Sequence, residues 1–166
     1  MDLVQTKKLT RYLSCIVVAL IFADLITIVT TPYWLKIAYE NGYDALEMFF
    51  GTIYNTAHPS GNYYFMAAFI MLCGVVIMGI LYDAYKILKQ IQKSMPFCIQ
   101  NAKSFQNAGF CAFFLTVAFI LKMFFSPSIL TLVCVGVFIL FGLFMIVLSQ
   151  LFKLATQIKD ENELTI

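Results

Sequence analysis

Four long apolar segments constrain this chain most, because about 20 consecutive apolar residues are enough to cross a bilayer as a helix. The segments cover about residues 12–31, 62–88, 108–125 and 129–150. A Ser-Pro-Ser sequence at 126–128 separates the last two as a tight turn, since proline does not continue a helix. The sequence therefore predicts an all-α integral membrane bundle of four transmembrane helices.

The composition agrees with a membrane environment. The chain is 61% hydrophobic and 12% charged, whereas a soluble domain is about 45–50% apolar and about 25% charged. In water such a chain would expose large apolar patches. We expect one membrane domain over residues 1–166. The net charge of only +2, with basic residues separated by long apolar runs, gives no indication of direct nucleic-acid binding.

The positions of Lys and Arg predict the orientation of the bundle. Nine of the eleven lie before the first segment, at the end of the second or between the second and third, or after the fourth. Only Lys36 and Lys122 lie on or toward the other side. By the positive-inside rule both termini, the loop at 89–107 and the tail at 151–166 are cytoplasmic. The expected topology is therefore N-in and C-in.

The first outer loop, residues 32–61, is long for a connection without structure of its own. Apolar residues at i, i+3, i+4 and i+7 predict an interfacial amphipathic helix within it, and aromatic residues with a polar edge favour the headgroup layer. The predicted outer interfacial face consists of Trp34, Leu46, Phe49, Phe50 and Ile53. It is interpreted either as an aromatic belt without a ligand or as a surface that senses an external peptide or lipid.

Two charged residues fall deep inside the predicted spans, away from the span ends. Asp24 lies roughly 18 Å and Lys122 roughly 21 Å from the predicted cytoplasmic side, at 1.5 Å per residue. Charged residues inside membranes are rare and usually face a partner. We therefore hypothesise an intramembrane charge pair between them. The alternatives are that Lys122 extends alone to the outer interface and that Asp24 is protonated or reaches water.

No residue pattern indicates an enzyme or a cofactor. The five cysteines include no CxxC pair, and most lie in or beside apolar runs, where cysteine acts as a small hydrophobic residue. His58 is the only histidine and has no evident partner. HExxH, GxSxG and phosphate-binding glycine motifs are absent from the sequence. We expect no catalytic residues, no metal and no cofactor.

The predicted cytoplasmic segments are more informative. Lys86, Lys89 and Lys93 follow helical spacing, which predicts a basic stripe lying against an anionic leaflet or, alternatively, docking an acidic partner. After the fourth span an apolar stripe continues, so we expect this helix to extend into the cytoplasm until the acidic residues at 160–163 interrupt it.

These segments carry a family resemblance. The middle loop contains Pro96, Phe97 and Asn101, with Gln100 where an acidic residue is expected, and a short amphipathic run then enters the third span. The tail reads Asp160, Glu161, Asn162, Glu163, Leu164, Thr165 and Ile166. Both segments resemble a bacterial family of four-helix membrane proteins catalogued as domain of unknown function 2975. The resemblance implies a multi-pass protein of the bacterial cell (plasma) membrane.

Members of that family are often encoded beside a small helix-turn-helix regulator. The resemblance therefore implies a non-enzymatic sensor or regulatory partner of such a cytoplasmic regulator, which would dock on the middle loop and tail named above. A second hypothesis is an immunity or stress-resistance protein that acts against an antimicrobial peptide. A third is a small transporter or channel subunit. Membrane lipid is the other expected partner, and the sequence leaves the oligomeric state open.

Overall fold

The computed structural model describes residues 3–41, 59–93, 97–125 and 129–164, with side chains described over 7–37, 63–93, 97–124 and 129–162. Four α-helices make up this part of the chain: α1 (Leu3–Asn41), α2 (Pro59–Gln92), α3 (Ile99–Phe125) and α4 (Ile129–Leu164). Each is long and apolar enough to cross a membrane. The prediction of an all-α protein with four membrane-spanning helices is confirmed.

The helices extend beyond the predicted spans. The 39 residues of α1 measure about 58 Å, whereas the hydrocarbon core of a bilayer is about 30 Å thick. This helix continues through Pro32, where the first span was expected to end. The Thr31 hydroxyl donates to the Thr27 carbonyl, and the Tyr63 hydroxyl of α2 donates to the Pro32 carbonyl at 3.0 Å. The segment called the first outer loop therefore begins as a continuation of α1.

α3 and α4 also extend beyond their predicted spans, in both cases at the predicted cytoplasmic end. The Cys98 carbonyl accepts the first hydrogen bonds of α3, from the backbone N–H groups of Asn101 and Ala102. α4 runs through the acidic stretch to Leu164. The prediction that this stretch interrupts the helix is wrong. Asp, Glu and Asn cost at most about 0.7 kcal/mol each relative to Ala inside a helix, and exposed helical positions accept them.

Helix packing follows chain order. α1 packs along α2, α2 along α3, and α3 along α4, and these are the extensive helix contacts among the described residues. Only three residues separate the end of α3 from the beginning of α4, and a short connection favours antiparallel neighbours. The outer helices α1 and α4 therefore leave most of their surface for lipid.

Polar residues are frequent in the interior, beside small and apolar ones, and the exterior is apolar, unlike that of a soluble protein. The buried polar residues are Thr10, Ser14, Thr31, Asp83, Asn101, Ser104, Thr116, Lys122, Thr131 and Ser149. Large apolar residues such as Phe22, Phe124 and Leu140 are exposed. Lipid solvates apolar side chains as well as a protein core does, so helix interfaces in membranes favour small and hydrogen-bonding residues instead. This distribution independently supports a membrane protein.

Candidate functional site

A polar cleft lies between the end of α2 and the beginning of α3, at the predicted cytoplasmic side. We call it the α2–α3 cleft, and its volume is about 440 Å³. Its lining consists of four lysines, four amide side chains and one hydroxyl, from Lys86, Lys89, Gln90, Lys93, Gln100, Asn101, Lys103, Ser104 and Asn107. All four lysine side chains are exposed. The cleft therefore presents a concentration of hydrogen-bond donors and positive charge.

Hydrogen bonds and one ion pair fix the walls of the cleft. Gln90 Nε2 of α2 donates to Gln100 Oε1 of α3, which joins the two helices. Asp83 is buried beside the cleft, with its carboxylate 3.8 Å from Lys86 Nζ and within hydrogen-bonding reach of Ser104. Lys86 offsets the charge of Asp83, and the other three lysines leave the cleft positive.

A second cleft lies on a neighbouring face of α2, against α1. It has a volume of about 360 Å³ and includes Arg11, Tyr85 and Lys89, so Lys89 belongs to both clefts. Gln92 Nε2 lies 3.2 Å from the Thr10 carbonyl and 2.7 Å from Ser14 Oγ, donating toward both. These bonds attach the beginning of α1 to the end of α2.

Aromatic and polar contacts attach α4 to the beginning of α3. The ring centroids of Phe97 and Phe152 are 5.7 Å apart, and those of Phe105 and Phe152 are 4.9 Å apart. Ser149 Oγ donates to the Ala102 carbonyl at 2.7 Å, and Lys153 Nζ lies 3.3 Å from Gln106 Oε1. α4 is therefore held firmly where it passes the beginning of α3.

The structure places the predicted docking residues in three different environments. Phe97 is 47% exposed, whereas Asn101 is 1% exposed and forms part of the cleft wall. Asp160, Glu161 and Asn162 are exposed on α4. Glu163 and Leu164 belong to the same helix, and their side chains lie outside the described part, as do Pro96, Thr165 and Ile166. The middle loop and the tail thus offer separate surfaces.

Lys122 lies in the interface of α2, α3 and α4 and is 2% exposed. Its ammonium group donates to Thr131 Oγ1 of α4 at 2.8 Å. A cavity of about 210 Å³ beside it is lined by Phe69, Ile70, Cys73, Phe119, Leu130, Thr131 and Cys134. A hydroxyl on α4 therefore contacts the buried ammonium group of α3.

Asp24 lies elsewhere, in the interface between α1 and α2. Its Oδ1 would be 3.6 Å from a Cβ placed on Gly74, and its buried Oδ2 makes no hydrogen bond within the described structure. The pair with Lys122 that was hypothesised from the sequence stays a prediction. Helix order separates the contacts of the two residues, because α1 packs on α2 whereas Lys122 contacts the Thr131 hydroxyl on α4.

Most of the predicted outer interfacial face lies outside the described residues. Leu46, Phe49, Phe50 and Ile53 belong to that undescribed segment. Trp34 is 63% exposed on α1, and its ring makes an edge contact with Tyr33 at 6.0 Å between centroids. Trp34 is thus placed to contact lipid or a ligand, and the interfacial helix stays a prediction.

Several residues that are important for helix packing were not identified from the sequence. Thr131 and Ser149 look like ordinary polar residues in an apolar segment, yet both are buried and bond another helix. Gly109 and Gly142 lie in the interface of α3 and α4, where an added Cβ would meet the other helix. The available signal was the small or hydroxyl-bearing residue type within a membrane span, which favours a helix interface. That signal does not identify which helix is contacted.

The described residues include no group of three or more His, Cys, Asp or Glu side chains that could hold a metal ion. All five cysteines are unbonded thiols.

Comparison with curated proteins and with solved structures gave no match. A family model does match the chain, over residues 52–166. The matched part includes α2, α3, α4 and both segments that carried the resemblance. The chain is therefore a member of the family described as Protein of unknown function (DUF2975).

Proposed function

We propose that this chain is a non-enzymatic membrane protein that acts as a sensor or regulatory partner of a small cytoplasmic transcription regulator. The observation that carries the proposal is the length of α4, which continues from the predicted membrane exit near residue 150 to Leu164. At 1.5 Å per residue this extension measures about 21 Å. It is long enough to reach beyond the headgroup layer and present a surface to the cytoplasm.

The surface of this extension suits a protein partner. Leu151, Leu154 and Ile158 are exposed at i, i+3 and i+7, so they form one apolar stripe. Outside the hydrocarbon core such a stripe is stabilised when another protein covers it. The aromatic contact between Phe152 and Phe105 fixes the root of the extension to α3. The stripe therefore has a defined position relative to α3.

Charge supports a DNA-binding partner. Asp160 and Glu161 are exposed beyond the stripe. A helix-turn-helix regulator carries a basic surface that contacts DNA phosphates. An acidic helix end can attract that surface, and the regulator would then be held away from DNA. The identity of the partner comes from the family resemblance.

The proposal is tested by recovery, from solubilised membranes, of a small helix-turn-helix regulator co-expressed from the reading frame beside this chain, where the neighbouring frame encodes one. Variants with Leu154→Ser and Ile158→Ser, or with residues 160–166 deleted, should lose the regulator. Lipid-facing Leu140, changed to Ala, is the matched control, since it lies on the same helix within the membrane span. Equal recovery of the regulator from all variants would refute a role for the extension.

A further inference from the structure

We propose that the α2–α3 cleft binds the phosphate group of an anionic phospholipid headgroup. The ligand chemistry follows from the lining. Charged phosphate oxygens accept hydrogen bonds and do not donate them. Lysine ammonium groups and side-chain amide nitrogens donate hydrogen bonds. Lys89, Lys93 and Lys103 approach the cleft from two helices, so positive charge surrounds it rather than lying along one stripe.

The depth of the cleft matches the headgroup layer. Its residues on α3 run from Gln100 to Asn107, and the third span was predicted to begin at residue 108. This stretch of helix measures roughly 11 Å, and each polar layer of a bilayer is about 5–8 Å thick. The cleft therefore begins at the hydrocarbon boundary and extends through the level at which lipid phosphates lie.

Negative charge near the cleft is already compensated. Asp83 is the acidic residue beside it, and its carboxylate is buried against Lys86 and Ser104. The amide bridge between Gln90 and Gln100 adds no charge. An incoming phosphate group thus meets three exposed lysines and no exposed carboxylate among the lining residues.

The neighbouring cleft predicts a preference among lipids. Lys89 lines both clefts, and Arg11 lies in the second one, between α1 and α2. A lipid with two phosphate groups can place one in each cleft and contact Lys89 from both sides. We expect cardiolipin to bind more tightly than phosphatidylglycerol for this reason, and phosphatidylcholine to bind least.

The test is a titration of the purified full chain in detergent with phosphatidylglycerol, cardiolipin or phosphatidylcholine, followed by native mass spectrometry. The site variant carries Lys89→Gln, Lys93→Gln and Lys103→Gln. Each lysine near an anionic surface contributes an attraction that corresponds to about a fivefold change in binding. The site variant should therefore bind the first phosphatidylglycerol molecule at least about tenfold more weakly.

The matched control removes the same charge elsewhere on the predicted cytoplasmic side, through Lys7→Gln, Lys8→Gln and Lys159→Gln. All six lysines are exposed, so neither variant disturbs the packed interior. A loss confined to the site variant supports the cleft. An equal loss in both variants, or in neither, would overturn it, because attraction would then be general or absent.

A final experiment distinguishes the phosphate of a lipid headgroup from a free phosphate compound in solution. Glycerol 3-phosphate and inorganic phosphate are titrated in phosphatidylcholine nanodiscs, with thermal unfolding as the readout. No stabilisation by these soluble anions, together with stabilisation by nanodiscs that contain phosphatidylglycerol, supports the lipid. Equal stabilisation by the soluble anions would overturn the lipid assignment. The regulator proposed above docks on α4, so loss of lipid binding and loss of the regulator are measured on different variants.

Discussion

Gly109 of α3 and Gly142 of α4 face each other where the two helices pack together. A Cβ on Gly109 would lie 3.1 Å from the Gly142 carbonyl oxygen, and a Cβ on Gly142 would lie 3.3 Å from the Gly109 carbonyl oxygen. Backbone atoms cannot move aside as a flexible side chain can. Each glycine therefore permits the approach of the other helix, as small residues do in membrane interfaces.

Replacing either glycine with Val should loosen the α3–α4 pair. Overpacking of a close interface costs about 1–3 kcal/mol, and we expect a loss of this size in the free energy of unfolding for Gly109→Val and Gly142→Val. Unfolding in mixed detergent micelles measures it. Gly136→Val is the control, because a Cβ at Gly136 meets nothing within 4 Å. Similar losses at Gly136 and Gly142 would contradict the packing.

The α1–α2 pair depends on a different fit, in which the Ile28 side chain occupies the space beside Gly74. A Cβ on Gly74 would lie 2.5 Å from Ile28 Cγ1, so Gly74→Ala forces a shift and should destabilise the protein by about 1–3 kcal/mol. Adding Ile28→Ala should recover part of that loss, since the smaller side chain leaves room. The free energy of unfolding of the single and double variants measures this.

Gly79→Ala serves as the control for this pair, because a Cβ at Gly79 also meets nothing within 4 Å. We expect it to be neutral or slightly stabilising, since Ala favours helix by about 1 kcal/mol over Gly. An additive effect of Gly74→Ala and Ile28→Ala would show that the two residues do not share the space.

Replacing Thr131 should reduce the stability of the protein more than replacing other buried threonines. Thr131→Val removes the hydroxyl that accepts a hydrogen bond from the Lys122 ammonium group, and loss of a buried partner costs about 1–3 kcal/mol. Thr116→Val is the control, since its buried hydroxyl donates to the Ala112 carbonyl within its own helix. We expect little change there. Thermal unfolding in one detergent compares them.

Combining Thr131→Val with Lys122→Met should recover the stability, because the charged group is then removed as well. Asp24→Asn provides the second comparison. Its effect should add to that of Lys122→Met within about 0.5 kcal/mol, as expected for residues that do not interact. A larger coupling energy between the two substitutions would support the charge pair hypothesised from the sequence.

The predicted orientation is checked by labelling Cys98, which lies between α2 and α3. With the other four cysteines changed to Ala, an impermeant maleimide should not label Cys98 in intact cells and should label it after the membrane is opened. A cysteine introduced by Ser60→Cys, at the other end of α2, should show the opposite result. Labelling of Cys98 from outside would reverse the orientation and the docking model with it.

Much of the fold could be predicted because the membrane imposes a simple rule on each segment separately. Length and apolar composition locate four helices without reference to their neighbours. The residues at which the helices end were harder to predict. Pro32 usually breaks a helix and the residues at 160–163 lack an apolar pattern, yet both lie within continuous helices. Helix propensity is a weak guide at such positions.

The candidate site was only partly predictable. The lysine stripe on α2 follows from spacing alone, whereas the opposite wall of the cleft, including Gln100 and Lys103, requires knowledge of which helices pack together. The partner of Lys122 illustrates the same limit. Depth in the membrane suggested Asp24, but depth says nothing about the position of a helix around the bundle. Thr131 contacts Lys122 because α4 packs along α3.

Packing in chain order has a consequence for biogenesis. Every helix meets its main partner as soon as the next segment emerges from the ribosome, so no segment waits exposed in the bilayer for a distant one. The chain can thus assemble as two successive hairpins that come together along α2 and α3. A nick between these hairpins would leave two fragments, each with an intact pair of helices, that reassociate into one functional particle.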